Sequence, residues 1–206
     1  MILLLAVLAG LLSGLLRAQL RKRAYQSFPL RLAWLVLAAI AAQWLIFSFP
    51  ATRASLPGIV VRWIFVLSQL ALLIFAWANR KTPGFWLLGA GLLLNLTVIA
   101  LNGGLMPITP ETVKWLRPDA PAGSWQIGER LGFGKDIVLP REETILWFLS
   151  DRFRSFSGLS YRVAFSLGDV FIALGAFWLL WTMGGPAREQ PLKEKNHVPD
   201  QLPTFQ

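Results

Sequence analysis

Residues 87–111 read LLGAGLLLNLTVIALNGGLMPITPE, an apolar run that ends abruptly in Asn-Gly-Gly and two prolines. No charged side chain lies between Phe85 and Leu101. A run of that kind fits a helix crossing a hydrocarbon core, which takes about 20 residues. Backbone polar groups in lipid need partners within the segment, so the run is expected to be helical. Past its end, Asn102 and Gly103-Gly104 accept the left-handed backbone that closes a helix, and Pro107 prevents continuation. A second reading of the same corner stays open. Asn102 would supply an amide to a polar site, with Gly103 and Gly104 letting a ligand approach the backbone closely.

Outward from this stretch, the same pattern recurs in Ile2–Leu16, Leu32–Phe49, Ile59–Ala78 and Val170–Met183, which with Phe85–Leu101 makes five blocks. Apolar residues make up 55% of the chain and charged ones 15%, against about 25% in soluble domains. Most of the ten tryptophans stand near block ends, as in the aromatic belts of a bilayer. The expected fold is therefore all-α, a polytopic membrane bundle of five transmembrane helices. A long extracytoplasmic segment, 102–165, would lie between the fourth and fifth, within one unit spanning 1–184. The polar, proline-rich tail 185–206 is expected to be disordered.

Charge orients the bundle. Arg17, Arg21, Lys22, Arg23 and Arg31 fill the first connection without an acid, and Arg80 and Lys81 the third, whereas the short loop 50–58 holds only Arg53. By the positive-inside rule the first two face the cytoplasm of a bacterial inner membrane. The N-terminus, read as an uncleaved span, would then lie outside and the C-terminus inside. Segment 102–165 carries seven acids and eight bases. PITPETVKWL within it predicts a short helix with Thr109 as N-cap, and LPREETILWFLSDRF an amphipathic helix presenting Ile145, Leu146, Leu149 and Phe153 to the bilayer.

Several classes of chemistry are not expected. The net charge of +9 lies mainly beside apolar blocks, so lipid, not nucleic acid, is the expected partner. Cysteine is absent, and the lone His197 sits in the tail, so no metal site and no cofactor is expected. ERLGFGKDIV imitates a nucleotide loop but has Glu129 and Asp136 where a glycine and a hydroxyl residue belong.

Polar residues inside or beside the spans remain as candidates. In FSLGDVFIALG, Ser166 and Asp169 form a variant capping box, and Asp169 alternatively faces the bundle as a tunable carboxylate. Asn102 and Asp169 are expected at one outer level, with Arg62 snorkelling or pairing with Asp169. Gln43, Gln69 and Asn95 would bond between helices or line a polar pocket for a lipid, quinone or solute. Ala6, Gly10 and Gly14 predict close packing, within the chain or against a partner.

Taken together, LLGAGLLLNLTVIALNGGLMPITPE, GKDIVLPREETILWFLSDRF and FSLGDVFIALGAFWLLW resemble the bacterial membrane family known as domain-of-unknown-function family 5317. The resemblance implies a five-span inner-membrane protein and no particular activity. A fainter likeness is to signal peptidase II, an aspartyl lipoprotein peptidase, through Asp151-Arg152 and Asp169. It implies water activated between two carboxylates. Ser166 and Gly168 depart from that family's asparagine and alanine, and no Gly-Asn precedes Asp151. Three functions follow: a non-enzymatic accessory or scaffolding subunit with membrane-protein partners, an aspartyl hydrolase using Asp151 and Asp169, or a small-ligand binder.

Overall fold

The structure is a computed structural model that describes residues 2–26, 28–121, 123–155 and 162–185. The expected tail from Pro186 onward lies outside the described residues. Seven α-helices are present: α1 (Ile2–Leu20), α2 (Trp34–Phe47), α3 (Pro50–Ser55), α4 (Gly58–Ala78), α5 (Gly84–Leu101), α6 (Pro110–Leu116) and α7 (Leu167–Thr182). Among them α1, α4 and α5 are long and apolar enough to cross a bilayer. The 14 residues of α2 and 16 of α7 make shorter apolar helices, about 21 and 24 Å in length. Exposed leucines along α1, and exposed Trp34, Trp44, Trp63, Trp77 and Trp86, give the bundle a surface compatible with lipid.

Glycine governs how the long helices meet. α5 and α7 run antiparallel, with Gly84 against Gly175 and Gly91 against Gly168. A methyl group added to Gly91 would stand 2.4 Å from the Gly168 carbonyl oxygen, so the backbones touch without side chains between them. α1 runs parallel to α7, where Gly10 meets Phe177 and Gly14 meets Leu180. The small-residue spacing of α1 therefore serves packing within the chain. α2 lies antiparallel on α4, tied by Gln43 Nε2 donating to Ser68 Oγ at 2.9 Å. At this end of the pair, Phe47 packs edge-on against Phe65.

The described residues of segment 102–165 cap one end of the bundle and add two short strand pairs to a mostly helical fold. β1 (Met106–Ile108) pairs in parallel with β2 (Asp136–Val138), and β3 (Phe153–Arg154) pairs antiparallel with β4 (Ala164–Phe165). α6 forms as expected, with Thr109 Oγ1 accepting from the Thr112 N–H at 3.4 Å. The amphipathic helix over LPREETILWFLSDRF does not form. Two 3-10 turns, Arg141–Glu143 and Trp147–Leu149, stand there instead, separated by Leu146 in the left-handed region at φ 55°. The reason is a competing partner: both backbone groups of Ile145 bond to the Asn102 amide. Leu146 and Leu149 then pack inward beside Phe65 and Ile99, while Ile145 and Phe148 stay exposed.

The opposite end gathers the basic connections. Asn79 accepts from the Arg31 N–H and donates to the Arg31 and Phe75 carbonyls. Tyr25 donates to the Leu180 carbonyl, and the Gln26 N–H to that of Met183.

Candidate functional site

The corner at Asn102-Gly103-Gly104 resolves as a clamp. Gly103 and Gly104 take φ of 77° and 85°, and the Gly104 N–H closes back on the Ile99 carbonyl at 2.8 Å. This is the helix stop that the residues favour. The buried Asn102 side chain donates to the Val98 and Ile145 carbonyls and accepts the Ile145 N–H, so its amide is fully occupied. Close approach occurs here too, but toward Arg62. Arg62 Nη1 donates to the Gly103 carbonyl at 2.6 Å, and a methyl group on Gly104 would stand 3.0 Å from Arg62 Cβ. Arg62 shows no ion pair with Asp169 among the described residues.

Asn102→Ala should free residues 140–150 from the bundle. Three hydrogen bonds are lost and the Ile145 N–H is left without a partner, a loss of about 1–3 kcal/mol. Faster proteolysis or amide exchange confined to 140–150, with α5 unchanged, is the expected readout.

Asp169 begins α7 in a complete capping box. Its N–H donates to Ser166 Oγ at 3.0 Å and its Oδ2 accepts the Ser166 N–H at 3.1 Å. The ring extends to α5, because Asn95 Nδ2 donates to Asp169 Oδ1 and Ser166 Oγ donates to Asn95 Oδ1. Asp169 meets Asn95, not Asn102, which lies seven residues further along α5, about 10 Å nearer the cap. The expectation that Asn102 and Asp169 share one level is corrected accordingly. Gln43 bonds to Ser68 on α4, so Gln43 and Asn95 serve different helix pairs. Gln69, half-buried on α4, is drawn into neither pair by a hydrogen bond among the described residues.

The most unusual electrostatics lie under the cap. Asp151 is carried there by its N–H bond to the Pro107 carbonyl at 3.2 Å, beside β1. Its side chain is only 4% exposed and is ion-paired through Oδ2 to Lys135 Nζ, while Oδ1 is buried without a hydrogen-bond partner among the described residues. Lys135 also pairs with Asp136 at 3.0 Å and keeps 42% of its side chain exposed. Burial raises Asp151 most. Lys135 opposes the rise, Asp136 and Asp169 add to it, and the carboxyl is pushed up to about 7. Burial works against the Lys135 charge, but Asp136, Asp151 and Asp169 outweigh it and hold its pKa above the ordinary value.

This has a consequence for pH. The folded state holds the Asp151 proton up to about pH 7, whereas an unfolded chain releases it near 3.8. Its stabilising contribution is complete below about 3.8 and is lost as pH rises through about 7, at no more than about 1.4 kcal/mol per pH unit. Thermal unfolding between pH 4 and 8 should show that decline, and Asp151→Asn should flatten it.

Lys135 is the residue that sequence reasoning missed. It stood in a discarded nucleotide-loop imitation, and only the β1–β2 pairing brings it to Asp151, sixteen residues on. Arg152, the other half of the Asp-Arg pair, stacks on Trp147 at 4.5 Å, as Arg141 does at 3.8 Å.

The family of unknown function DUF5317 matches residues 27–181, from before α2 to the last turn of α7. The chain belongs to that family. No curated protein and no solved structure matches it. The match within DUF5317 covers the clamp, the Asn95 ring and the Lys135–Asp151 pair, and leaves out α1.

Proposed function

We propose that this DUF5317 protein is a five-span inner-membrane protein acting as a non-enzymatic accessory or scaffolding subunit, with its cap as the partner-facing surface. The observation that carries this reading is the commitment of its polar side chains. Asp169 accepts through both oxygens, Asn95 and Asn102 are engaged at both ends of their amides, and Lys135 occupies one oxygen of Asp151. Such groups build a rigid platform and leave no pair of carboxylates free to activate water. A hydrolase using Asp151 and Asp169 has less support for that reason, and a pocket shared by Gln43, Gln69 and Asn95 less still.

Orientation is supported by the two ends of the bundle. Arg21, Lys22, Arg23, Arg80 and Lys81 lie at the end opposite the cap, which favours a cytoplasmic position for that end and an outer one for the cap. The alternating directions of α1, α2, α4, α5 and α7 suit an outer N-terminus and an inner C-terminus. Because the chain has no cysteine, single probes report cleanly. In intact cells an impermeant maleimide should label Ser124→Cys and spare Lys81→Cys, and the reverse pattern would invert the topology.

The subunit reading is tested by extracting the full chain with its surrounding native membrane. A membrane protein present at equal stoichiometry, and lost with Phe148→Glu on the exposed cap, is expected. A chain recovered alone would overturn the reading.

A further inference from the structure

Three arginines at the capped end have no ion-pair partner among the described residues. Arg130 hydrogen-bonds through Nε to the Gly134 carbonyl and through Nη2 to those of Ile46 and Phe133, with its guanidinium over the Phe47 ring. Arg53, from α3, stacks over the ring of the same Phe133 at 5.1 Å. Arg62 lies close enough that its charge adds to burial in lowering the Arg130 pKa. Among the described residues the ion pairs are those of Lys135, so no carboxylate lies within 4.0 Å of these three. Like charges held together by stacking and by backbone carbonyls lack an anion to neutralise them.

Beside Arg62 a cleft of about 320 Å³ opens between α4 and α5. Its wall is apolar (Ile59, Trp63, Val66 and Ala100), with Arg62 and Gly103 at its mouth. Ile59 and Trp63 are exposed, each at 61%. Among the described residues a single Arg62 donor is used, on Gly103. On the same α4–α5 face, a second cleft of about 230 Å³ is lined by Trp77, Trp86 and Arg80. Arg62 and Arg80 are 18 residues apart, about 27 Å along a helix, close to the roughly 30 Å thickness of a hydrocarbon core. Arg62 thus stands at headgroup depth, with an apolar channel running from it toward the membrane interior.

We propose that the α4–α5 cleft at the capped end binds one anionic phospholipid, its phosphate held by Arg62 at the cleft mouth, with Arg130 and Arg53 adding positive charge to that end, and an acyl chain lying along Trp63 and Val66. Guanidinium groups suit phosphate because their N–H donors match its oxygens in pairs. An acidic peptide would match the charge but not the apolar channel beneath it.

The full chain, purified from mixed phosphatidylglycerol and phosphatidylcholine, is examined by native mass spectrometry for retained lipid. One phosphatidylglycerol should be kept in preference to phosphatidylcholine. The Arg53 side chain makes no hydrogen bond among the described residues, so Arg53→Gln tests charge without breaking one. It should weaken phosphatidylglycerol retention roughly fivefold, and Arg53→Lys should restore most of it. Val66→Trp, which fills the cleft at constant charge, should also expel the lipid. Equal retention of both lipids, or retention unchanged by Arg53→Gln and Val66→Trp, would overturn the proposal. So would displacement of the bound lipid by inorganic phosphate alone, or an acidic protein segment in its place.

Discussion

Lys135→Met should loosen the cap and lower stability by about 1–3 kcal/mol at pH 8, because the buried Asp151 carboxylate loses its partner while Lys135 itself is 42% exposed. Asp151 Oδ1 already has no partner, and without Lys135 the second oxygen is orphaned as well. β2 begins at Asp136, directly after Lys135, and β1 starts with the Met106 N–H on the Lys135 carbonyl at 2.9 Å. Damage should therefore spread through β1 and β2 into the Asn102 clamp. The loss should shrink toward pH 5, because Asp151, already pushed up to about 7, takes a proton more readily once its cation is gone. Adding Asp151→Asn to Lys135→Met should recover most of the stability at pH 8, since a neutral pair carries no uncompensated charge. Thermal unfolding of the two variants in one detergent decides this, and a Lys135→Met protein as stable as the parent at pH 8 would sink it.

The second large effect is expected at Gly168. A methyl group there would lie 2.0 Å from Asn95 Oδ1 and 2.7 Å from the Gly91 carbonyl oxygen. Neither neighbour has room to yield. Asn95 is held by Ser166 and Asp169, and the Gly91 oxygen belongs to the α5 backbone. Gly168→Ala must then separate α5 from α7 or break the Asn95 ring, a loss of about 1–3 kcal/mol from overpacking before any hydrogen bond is counted. The contrast is Gly89→Ala. A methyl there meets only the Ala76 side chain at an ordinary 3.6 Å, and replacing a mid-helix glycine by alanine favours the helix by about 0.5–1 kcal/mol. One added carbon should thus destabilise at position 168 and stabilise at position 89. Denaturation midpoints moving in the same direction would mean that the α5–α7 contact is looser than described.

The glycine contrast also shows where the sequence was legible. Gly10 and Gly14 announced close packing by their spacing, but Gly84, Gly91, Gly168 and Gly175 pair across 77 and 91 residues of chain, and nothing local marks them as partners. The Ser166–Asp169 capping box and the Thr109 cap were readable because each is made by residues three apart on one turn. The helix expected over 139–153 failed for the opposite reason. Its propensity and charge pattern were sound, yet Asn102, 43 residues earlier, claimed the Ile145 backbone.

By itself the sequence determined what periodicity, charge and capping control: apolar helices in the right places, a helix stop at Asn102-Gly103-Gly104, and basic residues gathered in the connections at one end. These rest on each residue's own solvation and on bonds within a turn or two. Tertiary structure alone decided which glycine faces which, that Lys135 meets Asp151, and that Arg53 and Arg130 both meet Phe133. Those contacts depend on how the separate elements dock, and docking is set by shape and burial summed over the whole chain.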